Sequence, residues 1–189
     1  MSKINVAVLG ATGMIGQRFI QLLENHPWFE IGGLYASERS EGKKLKDVLK
    51  VRDHSFNDET LDMTIERLET KKISELNRIA FSGLPSDIAG SNAANHRMRD
   101  DVPLLIPECN SSHLEAIKQQ KTYSNGGYIV TNANCSTTGI AVPLKAIDTS
   151  FGLKMVCIST YQAVSGAGYP GVPSLDILCN VVPYIKNEE

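Results

Sequence analysis

The stretch Gly10-Ala11-Thr12-Gly13-Met14-Ile15-Gly16 constrains this chain more than any other, because it sets three glycines directly between an apolar run and a helical pattern. Residues 4–9 read Ile-Asn-Val-Ala-Val-Leu, a β-branched run of strand type, and residues 14–24 carry Ile15, Phe19, Leu22 and Leu23 at helical spacing. In the order strand, glycine turn, helix, the backbone can approach a pyrophosphate while the helix N-terminus presents partial positive charge. Gly10, Thr12, Gly13, Met14 and Ile15 are then the expected cofactor contacts. The plainer alternative is a tight packing turn that binds nothing.

A second strand is expected at 30–35, after Asn25-His26-Pro27 ends the helix, which completes a βαβ unit. Residues 37–50 are polar and basic, and 58–76 mix charges with Met63, Ile65 and Leu68, as a solvated helix or edge strand would. Further on, buried strands are expected at 79–83, 102–106 and 128–132, and a helix at 112–121 capped by Ser111 or Ser112. A helix from Cys135 to Thr149, a long strand at 153–163, a glycine-rich loop at 165–171 and an apolar helix at 174–185 complete the pattern. Such alternation predicts a doubly wound α/β domain, and 189 residues leave room for part of another.

A formal charge of −2, with no basic block interleaved with aromatics, argues against a nucleic-acid partner. No apolar run reaches the ~18 residues a membrane span needs. Met1-Ser2-Lys3 leads straight into the first strand rather than into a signal peptide, so the cytoplasm is the expected compartment. The four cysteines are widely spaced and form no CxxC pair, which points to neither disulfides nor a metal site.

The end of the second strand separates NAD from NADP, since an acidic residue there holds the ribose 2′-hydroxyl and Arg, Ser or Thr take a 2′-phosphate. Glu38 pulls one way; Arg39 flanked by Ser37 and Ser40 resembles a phosphate clamp and favours NADP. A solvated loop with no specific role is the alternative.

Asn134-Cys135-Ser136-Thr137-Thr138 follows a strand and opens a helix, placing Cys135 where helix amides stabilise negative charge on sulfur. Cys109, Cys157 and Cys179 read instead as small buried hydrophobes. A thiolate beside a nicotinamide site suggests attack on an aldehyde, hydride loss and a thioester. Water, coenzyme A or phosphate would then release the acyl group; phosphate requires a cationic site, for which Arg97 and Arg99 are candidates.

The glycine turn, Phe81-Ser82-Gly83-Leu84-Pro85, Asn95-His96-Arg97-Met98, Val102-Pro103-Leu104-Leu105-Ile106-Pro107-Glu108, Asn134-Cys135-Ser136-Thr137-Thr138 and Tyr161-Gln162-Ala163-Val164-Ser165-Gly166-Ala167-Gly168 together resemble the aspartate-semialdehyde dehydrogenases of archaeal and fungal type. The resemblance implies a Rossmann-like doubly wound parallel sheet in residues 1–134, followed at 135–189 by the start of an α+β catalytic and dimerisation domain. It implies that Cys135 is the acylated nucleophile, that Asn134 and Gln162 position the reacting carbonyl, and that Arg97 binds phosphate. Ser82, Gly83 and Leu84 would line the nicotinamide end, faced by Ser165, Gly166 and Gly168. The implied reaction interconverts 4-phospho-L-aspartate and NADPH with aspartate semialdehyde and phosphate, toward lysine, threonine and methionine, in a homo-oligomer (dimer or tetramer) when intact.

Two departures from the family pattern stand out. A helix and strand are missing between Gly90 and Ser91, and the chain stops before the catalytic histidine and the arginine for the substrate carboxylate. His26, His54, His96 and His113 read as surface or capping residues, so no replacement base is evident and feeble catalysis is expected. A malonyl- or succinyl-CoA reductase and a non-catalytic dinucleotide-binding module are the competing expectations.

Overall fold

The structure, a computed structural model, describes residues 2–49, 56–84, 96–164 and 172–183. Strands β1 (Ile4–Leu9), β2 (Phe29–Ala36), β3 (Ile65–Arg67) and β4 (Ile79–Ser82) form one parallel sheet in the order β3-β2-β1-β4. Val8 of β1 lies opposite Leu34 of β2 on one side and Phe81 of β4 on the other, and β2 carries β3 at its outer edge. The chain steps outward from β1 to β2 to β3, then returns to the far side of β1. In doubly wound sheets such a reversal marks the place, beyond the carboxyl ends of the two strands, where ligands bind. The Rossmann-like α/β fold expected from the sequence is present.

Burial follows the strand period of two. Val6, Val8, Leu34, Ala36 and Ile65 pack against Ile20 and Leu23 of α1 (Met14–Leu23), with Leu45 of α2 (Leu45–Val48) and Phe56 completing the cluster. Ala7 and Tyr35, at the intervening positions, are fully buried on the opposite face. There Asn77, which ends α4 (Thr70–Leu76), donates from Nδ2 to the Tyr35 hydroxyl at 3.3 Å. A parallel sheet covered on both faces needs strands apolar on both sides, which β1 and the end of β2 supply. Between them, α3 (Asp58–Leu61) precedes β3, so the charged region 58–76 resolves into helix, edge strand and helix. β4 was expected to be buried, yet Ile79 and Ala80 are exposed, because among the described residues β4 is the sheet's other edge.

Past β4 the expectations hold less well. The strands expected at 102–106 and 128–132 shrink to a single bridge between Leu104 and Thr131. Side chains take the backbone groups that a ladder would use: Asn110 accepts from the Ile106 N–H and donates to the Leu104 carbonyl, and Gln120 does the same with both groups of Ile129. Helix α5 (Pro107–Asn110) runs into a 3₁₀ stretch, Ser111–Gln119, where an α-helix was expected at 112–121.

The chain divides into two compact units, Met1–Thr138 and Gly139–Glu189. Helix α6 (Cys135–Phe151) was expected from its apolar pattern and forms, with Pro143 inside it. The strand expected at 153–163 is not one, since a strand requires a ladder partner and none occurs among the described residues. The helix expected at 174–185 amounts to one turn, α7 (Ser174–Ile177); Cys179 then adopts φ 55°, which a helix cannot continue through. Cys157 and Cys179, expected to be buried, are exposed, because the segments bearing them join no buried cluster among the described residues. Cys109 is half-buried. No helix of the described residues is long and apolar enough to cross a membrane.

Candidate active site

The glycine turn forms where β1, α1 and β4 meet. Gly10 has φ +78°, and a Cβ there would lie 3.0 Å from the Gly83 carbonyl; a Cβ on Gly16 would lie 2.1 Å from the Gly10 carbonyl oxygen. The three backbone segments therefore approach too closely for side chains, and Gly83 N–H closes the junction by donating to the Leu9 carbonyl at 2.9 Å. Gly13 caps α1 with no acidic side chain in its first turn, so nothing on the helix itself opposes the positive end of its dipole. Thr12 is held through its carbonyl, which accepts from Gln17 Nε2 at 3.2 Å, while Met14 and Ile15 stand exposed beside the turn. Leu84 is buried against Gly10.

Ser82 Oγ, at the end of β4, is buried with no hydrogen-bond partner among the described residues. An orphaned hydroxyl beside an open glycine cradle and an uncompensated helix N-terminus is what a bound dinucleotide would complete, so the residues present fit that group.

At the end of β2, Ser37 opens a 3₁₀ turn, Glu38–Ser40. Arg39 is exposed, and its carbonyl accepts from Lys43 Nζ at 2.8 Å. Glu38 forms an ion pair with Arg67, whose Cα lies opposite Ala36 at the end of β3. Nothing in the spacing of Arg67 marked it as part of this site; the register of β3 brings it there.

Cys135 is exposed at the first position of α6. Asn134 caps that helix, its Oδ1 accepting from the Thr137 N–H at 2.8 Å, and Thr138 Oγ1 donates to the Ala133 carbonyl at 3.2 Å. Arg97 Nε donates to the Asn132 carbonyl at 3.1 Å, so the arginine is tied to the segment that leads into Cys135. Arg99 is engaged differently: Nε and Nη2 grip both Asp101 carboxylate oxygens at 2.9 and 2.7 Å, and Nη1 donates to His96 Nδ1 at 3.3 Å. The hydrogen bond from Arg99 holds the Asp101 carboxyl below its usual range, an effect that burial opposes. Of the two arginine candidates for phosphate, Arg97 alone is anchored to the cysteine loop.

His96, expected at the surface, is buried, and its Nε2 has no partner among the described residues. Arg99 three residues on was the one sequence signal for this. Gln162 lies half-buried in an irregular segment of the second unit. Ser165, Gly166 and Gly168, together with His54 and the Gly90-Ser91 junction, lie outside the described residues. Among the described residues no group of three or more His, Cys, Asp or Glu could hold a metal ion.

The chain matches the family model for the semialdehyde dehydrogenase NAD binding domain over residues 5–117 and that for the semialdehyde dehydrogenase dimerisation domain over residues 144–189. It is 45% identical to an aspartate-semialdehyde dehydrogenase of Archaeoglobus fulgidus, over 99% of this chain and 58% of that protein. It is 44% identical to the one of Schizosaccharomyces pombe, over 100% of this chain and 58% of that protein. The crystal structure of aspartate-semialdehyde dehydrogenase with NADP from Candida albicans superimposes with a TM-score of 0.78 at 37% identity, covering 100% of this chain and 57% of that one. The chain thus spans less than two thirds of the length of these relatives. Since the first family model alone takes in more than half of its residues, the chain belongs to the semialdehyde dehydrogenase family.

Proposed function

We propose that this chain carries the cofactor site and the nucleophile of an NADP-dependent, phosphorylating aspartate-semialdehyde dehydrogenase that interconverts L-aspartate 4-semialdehyde plus phosphate with 4-phospho-L-aspartate, in lysine, threonine and methionine synthesis. The observation that carries it is the placement of Cys135: exposed, at the first turn of a capped helix, with Arg97 tied to the loop before it. The archaeal and fungal relatives and the NADP-bound Candida structure support the choice of substrate and cofactor. Residues 1–134 then make the nucleotide-binding domain and 135–189 open the catalytic and dimerisation domain of a cytoplasmic enzyme, and the dimerisation-domain match supports a homo-oligomer.

NADP would be held through its pyrophosphate by Gly10, Thr12, Gly13, Met14 and Ile15, through its 2′-phosphate by Ser37, Arg39 and Ser40, and through its nicotinamide by Ser82, Gly83 and Leu84; the family resemblance would add Ser165 and Gly166, which lie outside the described residues. When bound it supplies the hydride acceptor. Cys135 Sγ attacks the aldehyde carbon, forming a carbon–sulfur bond while the carbonyl oxygen takes the thiol proton; loss of that proton and of the carbon-bound hydrogen, as hydride to the nucleotide, would leave a thioester. By the family resemblance, orienting the carbonyl would fall to Asn134 and Gln162. Phosphate held by Arg97 then attacks the acyl carbon, releasing the thiolate and the acyl phosphate. Alkylation tests this directly: labelling of Cys135 at neutral pH should outpace that of the other three cysteines and slow on addition of NADP. Equal, nucleotide-insensitive labelling of all of them would refute the assignment.

A further inference from the structure

Glu38 sits where an acidic side chain would select a ribose 2′-hydroxyl, yet its carboxylate is engaged by Arg67. Both side chains remain at least half exposed, and an exposed pair of this kind contributes little to stability. The pair nevertheless changes the local charge. Arg67 is set by the parallel register of β3 beside Ala36, at the same carboxyl end of the sheet as the glycine turn, and it lines an open depression of about 210 Å³ with Gly42, Thr64, Lys72 and the carboxylates of Glu41, Glu66 and Glu69. Lys72 is itself paired with Glu66 at 3.0 Å. The Arg39 side chain, one residue from Glu38, has no partner among the described residues. With Glu38 engaged by Arg67, the Arg39 cation next to it is not offset by the Glu38 carboxylate; with Glu38 released, a carboxylate would stand beside any anion bound there.

We infer that Arg67 is a positioning residue that sets the nucleotide preference of this site, by engaging the Glu38 carboxylate so that a 2′-phosphate is admitted. The inference rests on the proposed NADP site and adds a residue of β3 to it. In the R67Q protein the freed carboxylate repels the 2′-phosphate and accepts a hydrogen bond from a 2′-hydroxyl, so NADP is disfavoured and NAD favoured.

Calorimetric titration of the intact chain with NADP⁺ and with NAD⁺ measures this without turnover. R67Q should lower the ratio of NADP⁺ to NAD⁺ affinity by about tenfold or more, as expected for one lost charge compensation next to a phosphate. R67K should retain most of the ratio, and in an E38Q background the R67Q change should have little further effect. Binding of both nucleotides with an unchanged ratio in R67Q overturns the inference and leaves the cofactor site standing. An equal drop in the E38Q background overturns it too, because Arg67 would then be acting on the phosphate itself. Failure of the wild-type chain to bind either nucleotide overturns the cofactor site as well.

Discussion

Arg97 and Asn132 are joined by a 3.1 Å hydrogen bond from the guanidinium Nε to the backbone carbonyl, which ties the arginine to the segment entering Cys135. If phosphate resolves the acyl enzyme there, Arg97→Ala should slow phosphate-dependent release of an acyl group from Cys135 by about 10–100-fold, the loss of one or two charge-assisted hydrogen bonds of ~1.5–3 kcal/mol. Arg97→Lys should recover only part, because an ammonium lacks the planar fork that grips an oxyanion. Release rates as a function of phosphate concentration separate the two variants, and an Ala variant that responds to phosphate like wild type would exclude this role.

Asn134 caps α6 through the Thr137 N–H. Asn134→Ala should lower stability by about 1 kcal/mol in denaturant titrations and slow alkylation of Cys135, since the first turn that positions the sulfur would fray. Asn134→Asp, which can still accept that hydrogen bond, should keep the stability. An alanine variant with an unshifted midpoint would show that the cap does not hold the turn.

Gly13 and Gly16 should respond unequally to alanine. A Cβ on Gly16 would lie 2.1 Å from the Gly10 carbonyl oxygen, whereas one on Gly13 would lie 3.4 Å from the same atom. Gly16→Ala should therefore cost ~2 kcal/mol or more through backbone displacement and abolish nucleotide binding. Gly13→Ala should be tolerated with only a modest loss. Thermal melts with and without NADP provide the readout, and a Gly16→Ala protein that is still stabilised by NADP would disprove the tight junction.

Asp101 is held below the usual carboxylate range by its hydrogen bond from Arg99. Because its folded pKa is depressed, the stabilisation is complete above the unfolded value near 3.8 and is lost as pH falls through the lower folded value. Melting temperature should therefore drop more steeply as pH falls below the unfolded value near 3.8 in wild type than in Asp101→Asn, which carries no proton to bind there. Parallel curves would mean that the pair does not survive in solution.

Much of the first unit could be read from residue order alone, and the reasons are local. Ile4–Leu9, the glycines at 10, 13 and 16 and the helical spacing of Phe19 and Leu23 each encode their own geometry, so β1, the turn and α1 follow without knowledge of the rest. The Asn134-Cys135 step was legible for the same reason, a cap followed by a helix. Residues 153–163 were misread because alternation describes what a strand would present to a neighbour and says nothing of whether a neighbour exists. Asn110 and Gln120 likewise consume backbone groups that a pattern assigns to a ladder. Arg67 escaped notice since its place beside Glu38 depends on the register of an edge strand three residues long.

Capture of an acyl group by Cys135 is tested most directly by incubating the protein with aspartate semialdehyde and NADP⁺ in the absence of phosphate and mapping the product by mass spectrometry. One acyl group on Cys135, formed together with NADPH, removed by hydroxylamine and absent from Cys135→Ser, is the expected result. NADPH formed without an adduct at that residue, or an adduct that persists in Cys135→Ser, would contradict it.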